Sequence, residues 1–281
     1  MNLTRPTEVK ALLNRLGIHP NRVLGQNFLI DANILRIMLA TARVTQDDAV
    51  LEVGPGLGVL TEGLLREAGR VFAVEKDRGL YEHLKEIFAN NPKLTLIHAD
   101  ILDTDLEELM ACGINKVVAN LPYSISSRLL VELAKCGKPP RTITATVQRE
   151  VAERITAQPG TGDYGILGIF LQVRYETEIS KNISPSCFYP PPDISSSIVN
   201  LTLRAKPLAV ASSRTHFENL VKTCFSQRRK QIGKLLRTYD PGAPEQALAA
   251  LDIDPHARPE ELPPEKWVEL SNALRNRHGR Q

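Results

Sequence analysis

Three short motifs in this 281-residue chain carry residue types and turns suited to chemistry. The first is Leu51-Glu52-Val53-Gly54-Pro55-Gly56-Leu57-Gly58, an apolar run that ends in glycines spaced GxGxG. Glycines placed after a strand and before a helix let the backbone approach a ligand closely while the helix N-terminus faces it. A dinucleotide fingerprint needs a small residue at position 59, where Val59 stands, so this loop suits a ligand with no pyrophosphate to cradle. The second motif is a pair of acids. Glu75 closes the run Val71-Phe72-Ala73-Val74, about twenty residues past the glycines, where a carboxylate can accept both hydroxyls of a ribose. Asp100 follows Leu96-Ile97-His98-Ala99 and is expected to end the next strand, where it can accept from an exocyclic amine such as the adenine N6. Either acid alone reads equally as a solvated strand-end charge. Together, beside a glycine loop, they outline an adenosine-containing ligand.

The third motif, Asn120-Leu121-Pro122-Tyr123, is the most telling. It could be an ordinary Asn/Pro turn with a packing tyrosine. It also has a sharper reading. An exocyclic amine conjugated with a purine ring is a poor nucleophile, because its lone pair is delocalised into the ring. If the Asn120 side-chain oxygen and the backbone carbonyl of Leu121 or Pro122 accept its two N–H bonds, the nitrogen moves towards sp³ and the lone pair is freed. Pro122 stiffens the turn, and Tyr123 offers a face on which a base can stack. No strong general base is then required if the proton leaves after methyl transfer.

These motifs need a scaffold, and the pattern between residues 47 and 123 supplies one. Short β-branched runs at 49–53, 70–74, 94–97 and 116–119 alternate with helix-like stretches at 57–67, 78–90 and 105–112. Such alternation predicts a parallel, doubly wound sheet with strands buried on both faces. Helix 126–136, strand 142–147, helix 148–157, strand 169–179 and strand 196–204 are expected to follow. The Pro-rich stretch 185–192 is expected to be a rigid loop near polyproline conformation. Beyond Lys206-Pro207 the pattern turns helical, with an amphipathic basic helix at 216–237 and further helices at 245–251 and 264–276, the last carrying a core Trp267. The predicted organisation is an N-terminal helical extension over 1–22, with its helix at 8–16, an α/β domain over 23–207, and a small all-helical domain over 208–281.

Charge separates the two ends. The chain carries a formal +3, yet residues 204–281 hold 14 basic and 9 acidic residues, so the preceding part is at −2. That asymmetry points to a polyanionic partner. Lys222, Arg228, Arg229, Lys230, Lys234 and Arg237 form an acid-free basic stretch, either a solvated helix face or a surface that contacts phosphates. Cys112, Cys136, Cys187 and Cys224 lie far apart with no CxxC pair, and the 6 histidines lack HxH or HxxxH spacing, so no metal site is expected. No apolar run approaches the ~18 residues of a membrane span, and Arg5, Glu8, Lys10 and Arg15 interrupt any secretory segment. The expectation is a reduced, cytoplasmic, monomeric protein.

In this order, the motifs form a recognisable series: Leu24-Gly25-Gln26-Asn27-Phe28-Leu29, the GxGxG turn, Glu75-Lys76-Asp77, Asp100, Asn120-Leu121-Pro122-Tyr123, Phe188 before the proline run, and Phe225-Ser226-Gln227-Arg228-Arg229-Lys230. The chain resembles the ribosomal RNA adenine N6-dimethyltransferase family, within it the bacterial small-subunit (16S rRNA) enzymes, over roughly residues 23–270. The resemblance implies a class I, Rossmann-like methyltransferase sheet with S-adenosylmethionine as cofactor. It places Asn27 and Leu29 in a segment folding over the cofactor, Gly54 near its amino-acid part, Glu75 on its ribose and Asp100 on its adenine. Asn120 is shared by cofactor and target amine, with Leu121 and Pro122 completing the motif. Phe188 is implied as a second aromatic wall opposite Tyr123, and Lys222, Arg228, Arg229, Lys230 and Lys234 as RNA contacts. The implied partner is 16S rRNA within an immature 30S subunit. Ile194 stands where the family's proline loop has valine, Tyr189 precedes Pro190, and the head is poorer in lysine than is usual. Three rivals remain: a 23S rRNA adenine dimethyltransferase, an RNA-clamping assembly factor with catalysis secondary, and a nicotinamide dehydrogenase, which Val59 and the fourth-strand motif disfavour.

Overall fold

The computed structural model describes residues 3, 5–20, 26–208, 210–240 and 244–278. Leu24 and Gly25 of the segment Leu24-Gly25-Gln26-Asn27-Phe28-Leu29 lie outside the described residues. Contacts divide the chain into two compact units: 1–152 with 177–203, and 153–176 with 204–281.

In the first unit, helix α1 (Pro6–Leu16), strand β1 (Phe28–Leu29) and helix α2 (Ala32–Ala42) lead into an alternating series. The series runs β2 (Ala49–Val53), α3 (Val59–Glu67), β3 (Arg70–Glu75), α4 (Arg78–Ile87), β4 (Leu94–His98), α5 (Leu106–Ala111), β5 (Lys116–Asn120), α6 (Tyr123–Lys135) and β6 (Thr142–Gln148). Asp31, Asp77 and Asp105 each cap the helix that follows, accepting backbone N–H bonds from its first turn. Helices α7 (Arg149–Thr156) and α8 (Ile166–Gln172) then precede β7 (Tyr175–Ile183), β8 (Phe188–Tyr189) and β9 (Ser196–Leu203).

The main sheet has the order β4-β3-β2-β5-β6-β9-β7. Its β2/β3, β2/β5, β3/β4 and β5/β6 pairs are parallel, and β9 lies antiparallel to β6. This is the doubly wound α/β architecture expected from the alternation. Every residue of β2 is buried, as is the centre of β5, which suits strands covered on both faces. Strand β4 departs from that expectation. It is the sheet edge, and none of its five residues is fully buried. Strand β2 sends its chain to β3 on one side, while β5 sends its chain to β6 on the other. The loops at their carboxyl ends therefore diverge and open a crevice at the switch point. A separate two-stranded ladder pairs Phe28 with Tyr189 and Leu29 with Phe188.

In the second unit, α9 (Arg214–Phe225), α10 (Ile232–Tyr239), α11 (Pro244–Ala250) and α12 (Pro264–His278) share one core with residues 153–176. Trp267 is completely buried there, in contact with Phe225. Four expectations are corrected here. The strand expected at 169–179 is the helix α8 followed by β7, because an apolar run of this length suits a buried helix as well as a strand. Tyr164, Ile169 and Val173 bury themselves among Phe217, Leu220 and Trp267. Tyr164 Oη donates to the Leu262 carbonyl at 2.8 Å, and Gln172 Nε2 donates to the Ile155 and Ala157 carbonyls. Consequently the continuous domain expected over 23–207 is interrupted, and 153–176 packs with the C-terminal helices. The helix expected over 216–237 is two helices, with the basic Arg228-Arg229-Lys230 in the turn between them. The Pro-rich stretch is less uniform than a polyproline segment. It holds a 3₁₀ turn at Pro185–Cys187, β8 and a cis Tyr189–Pro190 bond.

Candidate active site

The crevice at the switch point is a cavity of about 510 Å³ in the first unit. Asn27, Leu29, Gly54, Glu75, Asp100 and Asn120 all line it, so the fold brings together every residue expected to bind cofactor. The glycine turn forms one wall. Gly56 has φ +59°, and a Cβ there would stand 3.0 Å from the Phe28 ring, so the turn and the β1 segment close on each other only through glycine.

Glu75, the last residue of β3, is 5% exposed. Its Oε2 accepts from the Gly56 N–H at 3.1 Å and its Oε1 from the Asp77 N–H at 2.8 Å. A carboxylate can accept about four bonds in all, so these backbone donors leave it capacity for a further hydroxyl donor. Burial pushes this carboxyl above its ordinary value, and the backbone donors pull against that shift. Asp100 lies two residues beyond the end of β4, not at its last residue as expected. Its Oδ2 accepts from Lys76 Nζ at 2.7 Å and its Oδ1 from the Leu102 N–H at 2.9 Å. The Lys76 ammonium holds its carboxyl below the usual range. Lys76 thus keeps Asp100 an acceptor.

Asn120 ends β5, directly opposite Thr146 of β6. Its Nδ2 donates to the Asn27 carbonyl at 2.8 Å, and its Oδ1 accepts from Thr146 Oγ1. Pro122 joins it in the cavity wall, whereas Leu121 is buried at 2% exposure beneath the turn. Tyr123 begins α6 half-buried, its Oη 2.5 Å from Ser196 Oγ. Tyr123 and Phe188 are not in the cavity wall. Phe188 is 2% exposed and packs with Leu29, Ile34 and Ile198. In this conformation it is a core residue under the β1/β8 ladder, not an open stacking wall.

Sequence reasoning passed over two groups here. Glu52 lines the cavity at 1% exposure, and among the described residues its Oε2 meets no hydrogen-bond partner. Burial, with the nearby Glu75 charge, pushes its carboxyl up to about 8. Its signal was legible, since an acid stands inside an otherwise apolar strand. Thr146 had no such signal, because only the β5/β6 register places it beside Asn120.

In the second unit, Arg229, Lys230, Lys234 and Arg237 are exposed. Lys222 pairs with Glu218 at 3.4 Å. Arg228 is committed further, with Nη2 2.7 Å from Glu260 Oε2 and donating to the Gly162 carbonyl at 3.0 Å. Among the described residues no cluster of three or more His, Cys, Asp or Glu is placed to hold a metal, and no helix is long and apolar enough to cross a membrane.

Comparison with known proteins places the chain among relatives of one kind. The sequence model of the family described as ribosomal RNA adenine dimethylase matches residues 18–276. The ribosomal RNA small subunit methyltransferase A of Opitutus terrae is 41% identical over 272 residues, covering 94% of this chain and 97% of its own. The protein of the same name from Shouchella clausii is 37% identical over 288 residues, covering 98% and 97%. Among solved structures, the 23S rRNA methyltransferase ErmE superposes with a TM-score of 0.66 at 29% identity, covering 89% of this chain and all of its own. A dimethyladenosine transferase from Plasmodium falciparum gives a TM-score of 0.76 over 86% of this chain and 95% of its own, and at 24% identity it speaks for the fold.

Proposed function

We propose, from the premise that this chain belongs to the ribosomal RNA adenine dimethylase family, that it methylates N6 of two adjacent adenines in the 3′-terminal hairpin loop of 16S rRNA. Each adenine is dimethylated, with S-adenosylmethionine as methyl donor, on an immature 30S subunit. The enzyme works as a cytoplasmic monomer. The small-subunit target is supported by relatives of that name at up to 41% identity over nearly full length, against 29% for the 23S enzyme. One observation carries the chemistry: the Asn120 carboxamide stands in the same cavity as the acids Glu75 and Asp100.

The donors and acceptors present fit S-adenosylmethionine. Glu75, buried in the cavity wall with acceptor capacity left, suits a ribose hydroxyl, and Asp100, kept ionised by Lys76, suits an adenine amino group. Glu52 Oε2 is a buried polar atom without a partner in the cavity wall, as expected where a polar ligand completes the site. When bound, S-adenosylmethionine supplies a methyl group activated by a sulfonium. The chain's own task is alignment, so proximity and orientation carry most of the rate. Asn120 Oδ1 and a carbonyl of the Leu121-Pro122 turn accept the two N–H bonds of the target amine and free its lone pair. For the second methylation one N–H remains, so only one of these acceptors is engaged while the lone pair is aimed. Tyr123, tethered through Ser196, supplies the stacking face. Arg229, Lys230 and Lys234, with Lys222 and Arg228 beside them, engage phosphates and position the RNA without reading its bases.

The test is methyl transfer from labelled S-adenosylmethionine to unmethylated 30S and 50S subunits, followed by nucleoside analysis. N6,N6-dimethyladenosine confined to 16S rRNA is the expected result. Label in 23S rRNA would instead assign the large-subunit target.

A further inference from the structure

We infer that Thr146 is a positioning residue for the transfer, because its buried hydroxyl donates to Asn120 Oδ1 and holds the carboxamide with its remaining acceptor position open to the substrate amine. The inference rests on the reading of Asn120 as the acceptor of that amine.

The argument begins with an ambiguity inherent in asparagine. Its amide has two nearly isosteric ends, one accepting and one donating, and a half-turn about χ2 exchanges them. Only the oxygen can draw the amine lone pair out of the ring. A nitrogen in the same place would present N–H to N–H and block the reaction. The fold resolves the ambiguity at the Asn27 side, and the Thr146 hydroxyl, which can donate or accept, then locks the chosen orientation. The Asn27 backbone carbonyl can only accept, so the atom that meets it at 2.8 Å is Nδ2. Oδ1 then faces Thr146 Oγ1, and the hydroxyl must be the donor. A flipped amide would set Oδ1 against the Asn27 carbonyl oxygen, two acceptors in contact, and forfeit the first bond.

The contact follows from register. Asn120 and Thr146 are neighbours across the parallel β5/β6 pair, and Thr146 is completely buried. On its other side β6 is paired with β9, which sets Thr146 opposite Ile198. The hydroxyl is therefore held inside the sheet, where water does not compete with it. It takes up one acceptor position of Oδ1 and leaves the other for the amine. Residue 27 belongs to the cofactor-covering segment and residue 146 to the sheet, so the orientation is complete only when that segment is in place.

Single-turnover methylation of unmethylated 30S subunits tests this with Thr146→Val, Thr146→Ser, Asn120→Ala and the double variant Thr146→Val/Asn120→Ala. Valine keeps the shape and removes the donor. It should lower the transfer rate tenfold or more, with RNA affinity changed less than about threefold, and Thr146→Ser should restore most of the rate. Asn120→Ala should lose about a hundredfold, and adding Thr146→Val to it should cost nothing more. A full transfer rate in Thr146→Val overturns the inference, and so does an equal further loss in the Asn120→Ala background. Should Thr146→Val fail to fold, Thr146→Ser and Thr146→Ala, compared at matched melting temperature, decide in its place: equal rates overturn the inference and a serine-specific rescue supports it. An active Asn120→Ala instead removes the reading on which the inference rests, and the two failures are thereby told apart.

Discussion

Asp100 and Glu52 stand in one cavity under opposite electrostatic pressure. The Lys76 ammonium keeps Asp100 ionised, whereas burial keeps Glu52 protonated up to about pH 8, against the pull of the Thr61 hydroxyl. The ordinary value for Glu52 is 4.5. Between those limits the native state retains a proton that the unfolded chain has released, so native stability falls as pH rises across the window. The slope reaches at most about 1.4 kcal/mol per pH unit. Glu52→Gln keeps the shape and removes the titration. Melting of the cofactor-free protein from pH 5 to 8 should show the variant gaining on the wild type as pH rises. A constant gap would mean that Glu52 ionises freely in the fold. The same logic separates what was legible from what was not. Glu75, Asp100 and Asn120 could be read because each follows an apolar run at a loop of recognisable composition. Thr146 could not, because its significance is a cross-strand neighbour that no local pattern encodes.

At the scale of elements, the β1/β8 ladder decides how the cavity is covered. Strand β1 has two residues, too few to persist alone, and its stability comes from pairing with Phe188 and Tyr189 and from the core beneath. Phe28 packs with Val9 and Leu12 of α1, and Leu29 packs with Phe188. Phe188→Ala should therefore cost about 3–5 kcal/mol of stability and weaken S-adenosylmethionine binding by loosening Leu29. Calorimetric melting and cofactor titration without RNA check this. A side chain that served only as a stacking wall for the target base would leave both unchanged. The sequence could not show that Phe188 is buried, since an aromatic before a proline run reads alike whether it faces a pocket or a core. Segment 166–172 shows the same limit. Its seven apolar-rich residues fit a strand as well as a buried helix, and the choice was made by Trp267 and Phe217, some fifty to a hundred residues away.

For the whole molecule, the charge asymmetry divides labour among the basic residues. Arg229, Lys230 and Lys234 are exposed, while Arg228 clasps Glu260 and the Gly162 carbonyl. Replacing the three exposed residues by alanine should flatten the log Kd against log salt slope for RNA by roughly two to three phosphate contacts, with cofactor affinity unchanged. Arg228→Ala should act differently, lowering the melting temperature with a smaller change in slope. Equal slopes for the triple variant and the wild type would mean that this face is merely solvated.

The passage of the chain between the two units has a consequence for dissection and for synthesis. The chain leaves the first unit after residue 152, contributes 24 residues to the second, returns for β7 through β9, and leaves again at 204. No single cut separates the units. A chain ending at Pro207, where composition invites the cut, keeps Tyr164, Ile169 and Val173 and removes the Phe217, Leu220 and Trp267 that bury them. Such a fragment should aggregate on expression even though every cavity residue is present. One that also replaces 153–176 by a short polar linker should stay in the supernatant after centrifugation. On the ribosome the same geometry sets a delay. The helix over 166–172 emerges with its apolar face uncovered and waits about a hundred residues for Trp267. The unit with the cavity can close its sheet in that interval, so catalytic machinery is assembled before the surface that would carry it to RNA.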